Sequence, residues 1–224
     1  DLEREMDTKN RDKVEKDSQS ENLEKDENFL KINETWPTSI LILSVNKMTI
    51  KKIITVPDPI LKEVSEPINK VDSKTQSLLD DMLETMYEAP GIGLAAVQVG
   101  IPLRLVVIDV SWNKEDGNKD PKFLINPKIV SKSEKLSSYE EGCLSIPDQY
   151  AEIERPESCV VEYLNYDGKQ STLRADGILS TCLQHEIDHL NGVLFIDYLS
   201  KLKRNMMIKK VTKSSKSKKD RVIA

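Results

Sequence analysis

The two histidines of the chain, His185 and His189, stand four residues apart in the run QHEIDH at 184–189. On a helix, side chains at this spacing lie on one face, so both imidazoles can bind the same metal ion. Glu186 stands beside the first histidine, where its carboxylate can reach a water molecule without itself being a ligand. The segment therefore predicts metal-assisted hydrolysis. The alternative is a helix whose histidines face the core or solvent for structural reasons alone.

Two histidines hold a metal ion incompletely, so a third ligand must come from Asp, Glu or Cys. Zinc peptidases with this pattern usually take a glutamate from a later helix. The chain after His189 instead offers Asp197 and then a lysine-rich segment without glutamate. Upstream, Cys143 lies in the run EEGCLS, and a cysteine in a glycine-containing turn can present its sulfur to an ion. Taken alone, Cys143 would be interpreted as a small buried hydrophobic residue.

A third segment, GIGLAAVQ at 91–98, combines glycines with small alanines. Glycines let the backbone lie flat against a ligand, and the amide of Gln98 could donate to a developing oxyanion. The segment is not a phosphate loop, because it lacks the Lys-Ser/Thr pair and does not lead from a strand into a helix. By itself it would be interpreted as a turn.

These segments must be positioned by a core, and the pattern of apolar residues predicts its elements. Short strands followed by two helices indicate an α+β fold. Helices are expected from Asp72 or Ser73 to about Glu88, from about Ile178 to Leu190, and from near Leu199. Strands are expected at 53–56, at 103–110, within 122–164 between breaks at Pro127, Pro147 and Pro156, and at 159–164 and 170–173 around a hairpin turn at Asp167-Gly168.

The charge is uneven along the 224 residues, whose formal net charge is −5. Residues 1–28 carry a net −5 with few apolar side chains, so we expect them to be disordered. Residues 201–221 carry a net +9, which leaves −9 for the remainder. Like-charged blocks of this kind are often interaction tails. Met48 would make a natural start for the folded part.

Composition also excludes several classes of protein. No apolar run approaches the roughly 18 residues that cross a bilayer. The acidic start argues against an organellar transit peptide. Three cysteines form no disulfide framework and fit a reducing compartment, and Cys159 and Cys182 lie in apolar segments as core residues.

Together the three segments resemble peptide deformylase, a family that carries GxGxAAxQ, EGC(L/F)S and QHExDH motifs. All three appear in order and without departure as GIGLAAVQ, EGCLS and QHEIDH. The resemblance covers roughly residues 48–205 and includes the stretches VPDPIL, INP and GVLFIDYL. It implies a single α+β domain with the HExxH helix packed between antiparallel β-sheets, followed by a C-terminal helix. Residues 1–47 would be a disordered acidic extension, and 206–224 the lysine-rich helix end and tail.

The resemblance implies hydrolysis of the formyl group from the N-terminal formylmethionine of nascent chains, releasing formate. Its ion would be one Fe²⁺ per chain, replaceable by Ni²⁺, Co²⁺ or Zn²⁺. The expected roles follow the motifs. Cys143, His185 and His189 bind the metal; Glu186 transfers the proton; Gln98 and the N–H of Leu144 stabilise the oxyanion; Gly91, Ile92, Gly93 and Glu141 bind substrate, the glycine segment as an added strand.

We expect an apolar methionine pocket lined by Ile92, Leu144 and Leu183. Related bacterial enzymes touch the ribosome near its tunnel exit through a C-terminal helix, so the lysines at 201, 203, 209 and 210 with Arg204 could contact rRNA; the alternative is a solvated face with a frayed tail. Neither DNA nor a membrane is expected as a partner, and the bacterial cytoplasm is the expected compartment rather than an organelle.

Two other functions compete with deformylation. A general metalloprotease would use the same HExxH chemistry but would need a downstream His or Glu ligand and a wider cleft. A catalytically silent ribosome- or peptide-binding protein could share the fold, although the intact Glu, Cys and Gln of the motifs oppose it.

Overall fold

A computed structural model describes residues 49–112 and 118–222, so the expected extension at 1–47 lies outside the described residues. Three α-helices and seven β-strands occur in the described part of the chain. The helices are α1 (Ser73–Glu88), α2 (Gly177–Leu190) and α3 (Lys201–Val222). The strands are β1 (Gly93–Ala95), β2 (Leu105–Ile108), β3 (Lys122–Lys132), β4 (Leu136–Cys143), β5 (Ile146–Pro156), β6 (Ser158–Leu164) and β7 (Gln170–Asp176).

Two antiparallel sheets enclose the central helix. Five strands form one sheet in the order β1-β2-β3-β6-β7, and β4 pairs with β5 in the other. Helix α2 contacts strands of both sheets. The predicted α+β fold, with the HExxH helix between antiparallel sheets, is therefore confirmed.

Helix α1 begins where the sequence predicted. The Asp72 carboxylate accepts a hydrogen bond from the backbone N–H of Thr75, which satisfies one of the free amides of the first turn. Leu79, Met82 and Met86 recur at helical spacing and are fully buried. They pack against β1 and β2, and so support the glycine segment from behind.

Helix α2 is buried on nearly every side, and ten of its fourteen residues are buried. Leu183, Ile187 and Leu190 face the five-stranded sheet, where Val106, Ile108 and other β-branched residues receive them. Gly192 then adopts a left-handed conformation (φ 72°) that stops the helix. Packing rather than intrinsic helix propensity therefore fixes the position of the histidines.

The prolines interrupt the strands less than predicted. Pro127 lies inside β3, where the pairing with β6 shifts register between Ile125 and Lys128. Asn126 bridges this bulge by donating to the carbonyl of Ile68 and accepting from its N–H. Pro147 lies inside β5, and only Pro156 ends a strand. Proline has no N–H to donate, and a bulge or a strand edge tolerates this loss. The breaks predicted at Pro127 and Pro147 were therefore wrong.

The prediction of a strand at 53–56 is also wrong, because the segment pairs with no β-strand of the described residues. Two single hydrogen bonds hold it instead: Ile54 N–H to the Gln98 carbonyl and Val56 N–H to the Ser145 carbonyl. The segment thus ties together two of the three motif segments.

The basic helix α3 docks through a narrow apolar stripe. Val211 is 2% exposed and packs with Met207 and Ile208 near Phe195. Within the described part of the chain, no helix has both the length and the apolar character needed to cross a bilayer.

Candidate functional site

One cysteine and both histidines meet at the end of the two-stranded sheet. The sulfur of Cys143 and a ring nitrogen from each of His185 and His189 all lie within 4.8 Å of one another. The Cys143 sulfur lies 3.2 Å from Nε2 of His189. The other ligand that the sequence left open, Asp197, lies elsewhere and pairs with Lys62 and Arg204.

Local structure explains why these three side chains converge. Helical spacing puts His185 and His189 on one face of α2, and their ring centroids are 5.0 Å apart. Cys143 is the last residue of β4, and only two residues separate it from β5. The short connection between the two strands holds Cys143 where its sulfur lies next to the histidines of α2.

Glu141 fixes the first histidine. Its Oε2 accepts a hydrogen bond of 2.8 Å from Nδ1 of His185, and since a carboxylate only accepts, the ring proton must lie on Nδ1. The lone pair of Nε2 is then free to bind an ion. Glu141 was expected to bind substrate; it lines the cleft, but both carboxylate oxygens are engaged by His185 and Arg155.

Arg155 is a site residue that the sequence reasoning missed. It is 3% exposed, donates to both oxygens of Glu141 and reaches Oδ2 of Asp188 at 2.7 Å. Although burial opposes ionisation, the hydrogen bonds from His185 and Arg155 lower the pKa of Glu141, so it stays a carboxylate. Nothing in the run ERPE around Arg155 signals this role, because the pairing depends on the register of β4 with β5.

Glu186 is buried beside the two histidines at the wall of a cleft. It is 4% exposed, and its Oε2 has no hydrogen-bond partner among the described residues. Burial raises the pKa of Glu186 to about 7. A carboxyl group with a pKa near neutrality can both accept and return a proton.

Gly93 permits this placement of Glu186. A Cβ atom built on Gly93 would overlap Oε1 of Glu186 and would lie 2.9 Å from the sulfur of Cys182. Any side chain at this position would therefore push the carboxylate away. The second glycine of GIGLAAVQ is required by close approach and not by a turn.

Gln98 is held with its amide nitrogen toward Cys143. Its Oε1 accepts from the Ala95 N–H at 2.8 Å, while Nε2 donates to Oγ of Ser145 at 3.1 Å and lies 3.5 Å from the Cys143 sulfur. The hydrogen bond that Oε1 accepts fixes the orientation of the Gln98 amide, so the Nε2 donor points toward the three ligand atoms.

A cleft of about 510 Å³ opens beside these groups. The free edge of β1 forms one wall. The Ile92 carbonyl accepts a hydrogen bond from the Asp109 N–H on the β2 side. Because successive peptide groups of a strand point to alternate edges, those of Gly93 point to the opposite, unpaired edge. The Ala95 N–H, two residues along this edge, faces Gln98. An extended peptide could add to this edge as a further strand.

The lining of the cleft differs in part from the prediction. Ile92 and Leu144 line it as expected. The prediction that Leu183 lines the cleft was wrong, because this side chain packs in the core cluster behind α2 and is fully buried there. The cleft side of α2 presents Ile178, Thr181 and Cys182 instead.

The donor atoms fit a transition metal ion. Sulfur and imidazole nitrogen are ligands for zinc, iron, nickel and cobalt. Burial, with the neighbouring His185, lowers the pKa of His189, which keeps its ring in the neutral form that binds metal. Burial lowers the pKa of His185, but the hydrogen bonds to Cys143 and Glu141 outweigh it and raise that pKa. These two groups therefore favour a positive charge, either a proton or a metal ion, at the His185 ring.

An HExxH helix with a cysteine ligand and an adjacent buried carboxylate defines a class, the mononuclear metallohydrolases. Comparison with known proteins narrows this class. The model of the polypeptide deformylase family matches residues 50–205. The chain therefore belongs to the polypeptide deformylase family, metal-dependent amidohydrolases that remove the formyl group from the N-terminal methionine of newly made proteins.

Individual relatives agree. The peptide deformylase of Rhizobium meliloti is 60% identical over 171 residues, which are 76% of this chain and 97% of that protein. That of Pelagibacter ubique is 55% identical over 176 residues, 79% of this chain and 99% of that protein. Among solved structures, peptide deformylase from Ehrlichia chaffeensis in complex with actinonin has a TM-score of 0.71 and 47% identity, covering 75% of this chain and 98% of that one.

Proposed function

We propose that Cys143, His185 and His189 hold the catalytic ion of this deformylase and that Glu186 moves the proton. The convergence of these three ligand atoms beside one buried carboxylate carries the proposal. When bound, the ion supplies Lewis acidity that lowers the pKa of a water molecule. We propose Fe²⁺ as the native ion, with Ni²⁺, Co²⁺ or Zn²⁺ as substitutes that the same donor set accepts.

The remaining residues bind the substrate and stabilise charge. Glu186 accepts a proton from the attacking water and delivers it to the departing amine nitrogen. Nε2 of Gln98 and the N–H of Leu144 donate to the oxygen on the formyl carbon, where negative charge develops. Gly91, Ile92 and Gly93 bind the substrate, the peptide groups of Gly93 pairing with its backbone at the free edge of β1, while Glu141 orients His185.

A general metalloprotease would require a further metal ligand downstream of α2. Its downstream ligand would be Asp197, the acidic residue after α2, yet Asp197 is engaged by Lys62 and Arg204. A silent binding protein would not need a buried carboxylate at Glu186. Incubation with formyl-Met-Ala-Ser and with the unblocked peptide separates all three: we expect formate from the first and no cleavage of the second. Peptide-bond cleavage, or no reaction with the metal-loaded protein, would contradict the proposal.

We further propose that the exposed lysines of α3 contact ribosomal RNA near the exit tunnel. Lys201, Lys203, Lys209 and Lys210 are all exposed, and their attraction to phosphates would be sensitive to salt. Three free cysteines and a substrate made at the ribosome support a cytoplasmic location.

Deleting residues 201–224 would test this contact poorly, because it also removes the buried Val211. Changing Lys203 and Lys210 to glutamine leaves that packing in place. Co-sedimentation with ribosomes at low salt should fall for this variant and not for Lys135→Gln, at an exposed lysine in the turn between β3 and β4. Equal co-sedimentation of both would contradict the contact.

A further inference from the structure

The indole of Trp112 reaches from the loop after β2 to the start of the glycine segment. Its Nε1–H donates a hydrogen bond to the carbonyl of Gly91 at 2.8 Å. Gly91 lines the cleft, and Trp112 does not. Any influence of Trp112 on a bound substrate must therefore pass through Gly91.

The hydrogen bond from Trp112 completes the attachment of the segment that leads into β1. The N–H of Gly91 donates to the carbonyl of Met86 on α1 at 2.9 Å, and its carbonyl is taken by the indole. The carbonyl of Ile92 accepts from the N–H of Asp109 at 3.0 Å. Three hydrogen bonds thus fix where the chain enters β1, the strand whose free edge forms a wall of the cleft.

Trp112 is itself held by one carboxylate in two ways. Oδ1 of Asp109 accepts from the backbone N–H of Trp112 at 3.1 Å, and Oδ2 accepts from the hydroxyl of Tyr87 at 2.8 Å. The Tyr87 and Trp112 ring centroids lie 5.1 Å apart with the planes tilted by 58°, an arrangement that aromatic pairs favour. The indole N–H is therefore directed at Gly91 before any substrate arrives.

We propose that Trp112 is a positioning residue for substrate binding, because its indole N–H fixes Gly91 and so prepares the free edge of β1 for a peptide backbone. The inference rests on the proposed function, since it assumes that the substrate pairs with this edge. An edge already held in its bound conformation costs less to order when the peptide binds. The backbone is bound in both the ground and the transition state, so the contribution of Trp112 should appear in KM.

The test measures KM and kcat for formyl-Met-Ala-Ser with the metal-loaded full chain. Trp112→Phe keeps an aromatic ring beside Tyr87 and removes the donor. We expect KM to rise about threefold to tenfold, the range for loss of one neutral hydrogen bond, with kcat within about twofold of wild type. Replacing the Trp112 indole by the isosteric benzothiophene, which has sulfur in place of the N–H, should raise KM equally. This second variant decides the question if Trp112→Phe does not fold.

A second aromatic pair on α1 supplies the matched control. Tyr166 packs against Phe123 with ring centroids 5.0 Å apart and planes tilted by 60°, and its hydroxyl donates to Asp80 of α1 at 3.0 Å. Tyr166→Phe removes this hydrogen bond from a similar pair that has no contact with Gly91. We expect its KM to equal that of wild type.

Each outcome decides the question. An unchanged KM in both Trp112 variants would overturn the inference. A fall in kcat or in metal content that accompanies the rise in KM, or the same rise in Tyr166→Phe, would indicate general loosening of the fold and would overturn it as well. Absence of formate release by the wild-type protein would instead contradict the proposed function, so the two failures are distinguishable.

Discussion

Nδ1 of His185 lies 2.8 Å from Oε2 of Glu141, and this contact decides which ring nitrogen can bind a metal ion. Glu141 is in turn held by Arg155, itself only 3% exposed. The ligand is thus oriented by a buried carboxylate and that carboxylate by a buried guanidinium. Removing either support would leave a charge uncompensated.

Glu141→Gln should weaken metal binding about tenfold to a hundredfold, the usual effect of losing the partner of a ligating histidine. The amide keeps the size of the side chain but can no longer act as a charged acceptor toward both His185 and Arg155. Competition of a chelating dye against wild type and variant measures the change. Glu140→Gln, at the exposed neighbouring position, is the matched control, and equal affinities in all three proteins would remove the orienting role.

Glu186→Gln should retain the metal and lose about a hundredfold to ten-thousandfold in kcat, the range for removal of a general acid–base group. Formate release measures turnover, and metal analysis of the same sample shows that the site is filled. Near-normal turnover by this variant would eliminate the proposed proton transfer.

Gly93→Ala should inactivate the enzyme without unfolding it. The added methyl would meet the Glu186 carboxylate and the Cys182 sulfur, so one of them must move. We expect kcat to fall at least tenfold while metal content and the thermal midpoint stay near those of wild type, since a 1 Å displacement of a catalytic group is costly. Wild-type kcat in the variant would contradict the assigned close approach.

Asp109→Asn should lower the free energy of unfolding by about 2–3 kcal/mol at neutral pH. Asp109 is 1% exposed and accepts from Ser111, Trp112, Tyr87 and Asp120, and Trp112 in turn donates to the carbonyl of Gly91 in the cleft. Urea unfolding gives the difference. Asp120→Asn, at an exposed carboxylate, should change stability little.

The same residue predicts a pH dependence. Although burial raises the pKa of Asp109, hydrogen bonds from Ser111 and Tyr87 outweigh it and lower the pKa below 3.8. A lowered native pKa stabilises the fold above the ordinary carboxyl pKa, and this stabilisation is lost as pH falls through the native value. The stability gap between wild type and Asp109→Asn should therefore narrow below about pH 4. A constant gap would contradict the assignment.

Residues that act through local spacing were predictable from the sequence, and residues that act through register were not. His185, Glu186 and His189 follow from helical periodicity, and the Asp72 cap follows from residue type. Cys143 could be chosen over Asp197 only through the motif resemblance, because nothing local separates them. Arg155 depends on the pairing of β4 with β5. Leu183 was misplaced although spacing could have placed it: two residues from His185 is about 200° around a helix, which puts it on the face opposite the ligands, in the core.

The central claim is that one sulfur and two imidazoles bind a single metal ion. Metal analysis of protein purified without oxygen tests it most directly, because thiolate and ferrous iron both oxidise in air. We expect close to one equivalent of iron in the wild-type chain, with little or no tightly bound metal in Cys143→Ala, while Cys159→Ala, at a cysteine of the core, keeps its metal. Unchanged metal content in Cys143→Ala would contradict the account.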